Sequence, residues 1–461
     1  MKILKIKITK LFELFDYEID LNQQEDLTII TGPNGFGKTT VLNIIYNLFS
    51  KKFFYFQKLN FEEINLYFDD ELRLEIKRSI AGKKEMQNII KIENNIAQIE
   101  EKTINLIDVH FNLFDKQNIN IGSFIYNSEI DLGLVRELER SLPISRISEE
   151  YWIDRRTGKQ VTLTELLNDN INILSSKTIS NIQKQGIRNE HILSVLNSIN
   201  VYLIKAQRLI RQNLIDRRIN QERESSFVNT IEEYAKELAS LINQKRQEAY
   251  LITQNLDSSF PKRLIECKDE FDEEEFKTRF NNLIEKQTKL QKYGFSTSKP
   301  ELTNYDKQNA KVLSVYLKDS EQKTQVYDNL LLKIELFVNI LNEKRFTFKT
   351  IGINRDKGFV FTSSAGKEID LTDLSSGEQH EVVLLYELLF RTKSNTLILI
   401  DEPEISLHVT WQKAFIDDLL KIAKLQNISV LVATHSPQII NSRWNLTKDL
   451  FEISKKVRNG K

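Results

Sequence analysis

Cysteine is nearly missing from this chain of 461 residues: Cys267 is the only one. A single thiol excludes an internal disulfide and a cysteine-built zinc site. On a polar, helix-like stretch it reads as packing, in a protein of a reducing compartment, so a cytoplasmic location is expected. Six prolines and 14 glycines are few for the length and favour long helices over a loop-rich β protein. No run of about 18 apolar residues occurs, so no membrane-spanning helix is expected. The opening MKILKIKITK lacks the apolar core of a signal peptide. Net charge is absent too, 65 Lys and Arg balancing 65 Asp and Glu. A whole-molecule pull on nucleic acid is therefore not expected, although a local patch remains open. What is present, 28% charged and 40% hydrophobic residues, suits a globular protein of about two or three domains.

The first 80 residues read as strands: ILKIKI alternates, YEIDL follows after a turn, and LTIITG is an apolar run ending in glycine. KTTVLNIIYNLF places Val41, Leu42, Ile44, Ile45 and Leu48 on one helical face. EINLYF and LRLEIKR predict an antiparallel pair, and the stretch from about 85 to 198 reads as mixed and mostly helical. Strand character returns at Val201–Ile204, and 212–342 reads as helical. Within it Val228, Ile231, Ala235, Leu238, Ile242, Ala249, Ile252 and Leu256 form a heptad seam with Lys245 in one core place. Two readings fit: one helix of a packed helical domain, or a short antiparallel coiled-coil arm. Either is expected to stop at DSSFP, where Pro261 opposes helix continuation. The last 120 or so residues return to α/β: a hairpin around NRDKG, a helix at Glu378–Phe390, the strand TLILI, a helix, and the strand SVLVAT.

TGPNGFGKTT fits G-x-x-x-x-G-K-[ST] between a strand and a helix, the setting in which that pattern cradles phosphates. Backbone N–H groups around Gly32, Asn34, Gly35, Phe36, Gly37, Lys38, Thr39 and Thr40 face phosphate oxygens, Lys38 neutralises them, and the Thr39 hydroxyl ligates Mg2+. Phe36 stands where small residues are commoner, and its ring is given no role. TLILIDEPEISLH delivers Asp401 to the Mg2+ shell and Glu402 to the attacking water, at the strand end where ligands of open α/β sheets bind. LTDLSSGEQHE opens a helix with Ser375, Ser376, Gly377 and Glu378, offering hydroxyls, N–H groups and the positive end of a dipole. That is a second phosphate grip, which one P-loop site does not need within its own subunit.

GPNGFGKTT, LSSGE, ILIDEPEISLH and VATHSP stand in the order and setting of ABC-type ATPase heads, and the chain resembles the branch formed by SMC proteins and OLD nucleases. The resemblance spans residues 1–80 and 343–445. It implies an α/β P-loop ATPase head built from both chain ends, with a large, mainly helical insertion. The implied division is 1–84 for the N-terminal part of the head, 85–211 for a mixed, mostly helical insertion returning at a Q-loop, 212–342 for the helical insertion, and 343–461 for the C-terminal part. It maps the signature onto Ser375–Gly377, the D-loop onto Glu404–His408, the γ-phosphate sensor onto His435, and the Q-loop's Mg2+ and water contact onto Gln207. It implies ATP as substrate and a head-to-tail homodimer, or a larger assembly of dimers, with each ATP between one P-loop and the other subunit's signature. Arg208, Arg211, Arg217, Arg218 and Arg223 read either as nucleic-acid phosphate contacts or, with Asp216, Glu222 and Glu224 interleaved, as a solvated helix face.

SGEQHE with LYELLF, and SPQIINSRW, narrow the resemblance to the ATPase subunits of bacterial anti-phage systems of the PARIS, Septu and retron-linked types. That implies a sensor and scaffold for a separately encoded effector nuclease, TOPRIM-like or HNH, with nucleic acid or a phage protein as trigger. The short stretch after His435 and the lack of a His/Cys cluster lead to the expectation of no nuclease activity in this chain. An SMC-like DNA-repair ATPase is the alternative. A transporter's nucleotide-binding subunit fits less well, because such subunits keep the region before the signature compact. Lys38→Ala is expected to abolish ATP binding or turnover, read by nucleotide titration and phosphate release. Wild-type affinity and rate in that variant would contradict the site.

Overall fold

The computed structural model describes residues 1–93, 96–126, 139, 142–146, 151–155, 160–162, 189–204, 210–212, 227–267, 270–295, 305–343, 346 and 348–459. The alternating N-terminal segments become β1 (Ile3–Leu11) and β2 (Phe15–Asp20), while the apolar β3 (Leu27–Thr31) joins a different sheet. With β4 (Glu63–Phe68), β5 (Arg73–Glu93), β6 (Ile96–Phe114) and β7 (Asn120–Tyr126) they build a six-stranded antiparallel sheet in the order β2-β1-β4-β5-β6-β7. The helical expectation beyond residue 85 is thus corrected as far as Tyr126. β5 and β6 form one long ribbon, paired from Arg73↔Phe114 to Glu93↔Ile96. Irregularities at Ile80/Gly82 and Met86/Ile89 shift its register, so the two-residue period that betrays a strand is broken in the sequence.

β8 (Ile144–Arg146), β9 (Tyr151–Asp154) and β10 (Gln160–Thr162) form a small antiparallel meander. A helix at Glu190–Ser198, capped by the Asn189 side chain, leads into β11 (Asn200–Ile204). β12 (Ile210–Gln212) pairs with β13 (Phe227–Asn229), and β14 (Lys349–Asn354) with β15 (Gly358–Ser363) makes the expected hairpin, extended by β16 (Glu368–Ile369). β17 (Thr396–Asp401), β18 (Ser429–Ala433) and β19 (Thr447–Asp449) complete the strands.

A five-stranded parallel sheet, in the order β11-β17-β18-β3-β19, positions the site. Its central strands are buried along nearly their whole length, as strands covered on both faces must be, which explains why LTIIT, TLILI and SVLVA read as unbroken apolar runs. The helix Lys38–Phe49 lays Val41, Leu42, Ile44, Ile45 and Leu48 into a core shared with β1, β4, β17 and β18. Strands from the beginning, middle and end of the sequence meet in this sheet, so the head is built from both chain ends.

By compactness the chain divides into two units: Met1–Lys205 with Lys393–Pro403 and Gln426–Lys461, and Ala206–Thr392 with Glu404–Leu425. The second unit holds the long helix Thr230–Glu266, followed by Glu273–Lys292, Ala310–Gln325 and Asp328–Asn342. The predicted stop at Pro261 is corrected: the helix runs on to Glu266. Proline removes one donor, and nearby side chains take up the carbonyls around it. Ser258 and Ser259 donate to the Asn255 carbonyl, and Arg263 donates to that of Leu256 while pairing with Asp319. Along the heptad seam Ile231, Ala235, Leu238, Ile242 and Ala249 are buried and Ile252 and Leu256 half-buried. Lys245 pairs with Glu248 instead of entering a core.

The near end of this helix is fixed by a partly buried polar cluster. The Tyr234 hydroxyl donates to Glu387 at 2.5 Å, and Arg391 pairs with Glu237 at 2.6 Å while lying 4.4 Å over the Tyr234 ring. Burial opposes the Arg391 charge, but Glu237, Tyr234 and Glu233 together outweigh it and hold the guanidinium above its ordinary pKa. Glu387 and Arg391 bound a π-helical turn that follows the helix Ser376–Tyr386, so the single helix expected at Glu378–Phe390 changes pitch at its end. Gly358 (φ 82°) sits so close to the same long helix that a Cβ there would overlap the Ala235 carbonyl oxygen, whereas one on Gly366 (φ 77°) would meet open space. Gly358→Ala should therefore cost more than about 3 kcal/mol and Gly366→Ala about 1 kcal/mol. Equal losses for the two in urea unfolding would contradict the close approach.

Candidate nucleotide site

The parallel register sets the first geometry. Asp401 lies beside Ala433, and Ala433 beside Ile30. The loop after Thr31, the acidic end of β17 and the segment after β18 therefore emerge side by side on the carboxyl edge of the sheet, where open α/β sheets bind ligands. Gly32 (φ 141°), Gly35 (φ 86°) and Gly37 (φ 76°) hold conformations that L side chains resist, and they turn the chain back into the helix that opens at Lys38.

Lys38 is buried, and its ammonium donates to the carbonyls of Gly32 at 2.9 Å and Pro33 at 3.2 Å. Thr39 Oγ1 donates to Asp401 Oδ1 at 3.0 Å. A hydroxyl and a carboxylate meeting at an exposed helix N-terminus form a hard-oxygen pair that fits Mg2+, a cation that takes few protein ligands and keeps several waters. Bound there beside ATP, Mg2+ would neutralise phosphate charge.

Glu402 follows with φ 43°, a left-handed conformation costing a non-glycine residue about 1–3 kcal/mol. It is held by its N–H donating to the Ala433 carbonyl at 2.9 Å, a bond from the end of β17 to the end of β18. The Glu402 carboxylate lies 3.9 Å from His435 Nδ1, both partly exposed. One carboxylate is thus bound towards the helix and a second lies beside an imidazole, the arrangement expected of a cation-holding end and a base-bearing end.

The segment expected to act as a signature, Ser375–Gly377, lies in the second unit. Ser375 caps the helix Ser376–Tyr386: its hydroxyl accepts the Glu378 N–H, and the Glu378 carboxylate accepts the Ser375 N–H. Glu378 also takes Lys349 at 2.8 and 2.9 Å. Burial raises the Glu378 pKa, and Lys349 with the cap contacts outweighs that, leaving it lowered. The Gln379 amide ties back to the carbonyls of Thr372 and Leu374, and Gln412 does the same for Glu404 and Leu407. Glu378, Gln379 and Gln412 thus shape turns, a service visible only once the turns exist. Gln207, Arg208, Arg217, Arg218 and Arg223 lie outside the described residues, and Arg211 is described only in its β12 backbone. No helix among the described residues is long and apolar enough to cross a membrane.

A strand, a phosphate-shaped loop, a lysine-opened helix and an acidic neighbouring strand end define a P-loop ATPase. Residues 1–440 match the AAA ATPase domain family, AAA_15, and the chain belongs to that family. The zinc uptake system ATP-binding protein ZurA of Listeria monocytogenes serovar 1/2a (strain ATCC BAA-679 / EGD-e) is 28% identical over 131 residues. The match takes in 27% of this chain and 48% of that protein, so the chain spans about half the length of this relative; the ZurA of Listeria innocua serovar 6a (strain ATCC BAA-680 / CLIP 11262) gives the same figures. Among solved structures, the Smc head domain with an extended coiled coil bound to the C-terminal domain of ScpA, from Pyrococcus furiosus, aligns over 95% of this chain and 90% of its own, at 11% identity and a TM-score of 0.30. The SMC head domain from Thermotoga maritima aligns over 95% and 91%, at 10% identity and a TM-score of 0.31.

Glu402→Gln should retain ATP binding while slowing hydrolysis about 10²–10³-fold, since only the group expected to orient water changes. Wild-type phosphate release in this variant would move the base elsewhere, with Glu404 the next candidate.

Proposed function

We propose that the protein is an ATP-closed dimer, in which the signature of one subunit meets the nucleotide on the P-loop of the other, and that it serves as sensor and scaffold for a separately encoded effector. Gly377 carries this reading. It occupies the first turn of the helix Ser376–Tyr386, and glycine is a poorer helix former than alanine. A Cβ there would meet nothing nearer than the Trp411 ring at 3.9 Å, an ordinary contact. The chain's own packing therefore gives no reason for a glycine. Close approach of an outside group to the helix N-terminus does, and a phosphate is the group such a terminus attracts.

In this reading Lys38, Thr39 and Asp401 hold ATP and Mg2+ with Gln207 as a further contact, Glu402 orients water, His435 senses the γ-phosphate, and Ser375, Ser376 and Gly377 close from the partner. The effector is a TOPRIM-like or HNH nuclease of an anti-phage system in the cytoplasm, engaged through residues between about 85 and 342, the largest part that ATP chemistry leaves unexplained. Larger assemblies of dimers and a nucleic-acid or phage-protein trigger belong to the same proposal.

Mixing tests the shared site. Lys38→Ala and Gly377→Asp variants, each inactive alone, should regain ATPase activity as heterodimers, about a quarter to a half of wild type. Heterodimers with no activity would count against a site shared in trans. Co-purification with the product of a neighbouring nuclease-like gene, lost when Val228–Leu256 is replaced by a short linker, would support the scaffold role. ATP-dependent retention on DNA without such a partner would favour the SMC-like alternative.

A further inference from the structure

We propose that Tyr17 and an aromatic clasp of Phe15 and Phe451 around Phe36 position the P-loop for phosphate, making these three side chains positioning residues for the ATPase reaction. Phe36 stands between Gly35 and Gly37, both in left-handed conformations. A Cβ on Gly35 would touch nothing within 4 Å, so packing does not brace the crest of the loop there. One residue later the chain is held from two directions.

The first hold is a hydrogen bond. Tyr17, on β2 and 1% exposed, donates its hydroxyl to the Phe36 carbonyl at 2.7 Å. In a trans peptide the carbonyl of one residue and the N–H of the next point in opposite directions, and the described chain contains no cis peptide bond. Drawing the Phe36 carbonyl towards β2 turns the Gly37 N–H the other way, towards the concave side on which a loop at a helix N-terminus receives phosphate oxygens. Tyr17 thus sets the aim of a donor that it never touches.

The second hold is on the ring. Phe36 packs on Phe15 with centroids 5.0 Å apart and edge-on to Phe451 at 5.6 Å. Phe15 in turn stacks on Tyr17 at 5.7 Å, and Lys455 Nζ lies 3.9 Å over the Phe451 ring. Phe451 belongs to the helix Leu450–Asn459, which begins where β19 ends beside Thr31. Asp449 accepts the Phe451 and Glu452 N–H groups and the Thr31 hydroxyl at 3.3 Å, and a Cβ on Gly32 would lie 3.4 Å from that of Leu450. The start of this helix bears on the P-loop at both ends, at Gly32 and at Phe36.

The test uses the full chain and displacement of a fluorescent ADP analogue by three competitors: ATP, inorganic tripolyphosphate and adenosine. Tyr17→Phe removes only the hydroxyl. It should weaken ATP and tripolyphosphate about tenfold, leave adenosine unchanged, and raise KM with kcat held within about twofold. Phe451→Ala, at a partly exposed position, should show the same pattern, and Phe451→Tyr, which keeps the ring, should restore wild-type values. Unchanged tripolyphosphate affinity in both Tyr17→Phe and Phe451→Ala would overturn the proposal. So would a parallel loss for adenosine and tripolyphosphate, which would mark general destabilisation.

Discussion

The register of four parallel strands is the constraint on which the rest depends. Asp401, Ala433, Ile30 and, through β19, Asp449 beside Thr31 stand nearly level on one edge of the sheet. Side chains alternate along a strand, so a slip of one residue would turn Asp401 from the Thr39 hydroxyl and break the Glu402 bond to β18. The strain at Glu402 persists because this ladder over-determines it: the same hydrogen bonds that align the strands leave the residue after β17 nowhere else to go.

Most of that edge was legible in the sequence, because it is written in contiguous strings. GPNGFGKTT fixes loop, lysine and helix within ten letters, and an apolar run ending in Asp401 and Glu402 announces a buried strand with an acidic end. The parts that escaped reading have identifiable causes. The β5–β6 ribbon carries register breaks that erase the strand period. Pro261 looked terminal because local sequence does not reveal the hydroxyls and guanidinium that bind the Asn255 and Leu256 carbonyls in the turn before it. Phe36 looked like an oddity because its partners come from β2 and from near the end of the chain, contacts that no window of sequence brings together. In the second unit, the heptad seam marked the packed face of the long helix, but Tyr234, between two seam positions, carries the bond to Glu387 that the pattern could not show.

Two economies of construction emerge. Turns are shaped by side chains that reach back to the chain itself: Glu378, Gln379 and Gln412 bind backbone carbonyls, N–H groups or a lysine. Glycine, conversely, appears in three distinct settings. Gly35 answers only to its own backbone angle, Gly358 to its angle and to a neighbouring helix backbone, and Gly377 to neither.

In the proposed nucleotide site, the contacts of Lys38 bear on how phosphate would be exchanged. Its ammonium is already satisfied by two carbonyls of the loop it serves, those of Gly32 and Pro33. A phosphate that arrives must compete with them, and one that leaves hands the charge back to them without exposing a bare cation in a buried place. Such an exchange lowers the net gain from binding, because only the difference between the two sets of acceptors counts. By the same exchange, departing ADP would be replaced by acceptors that the protein supplies itself.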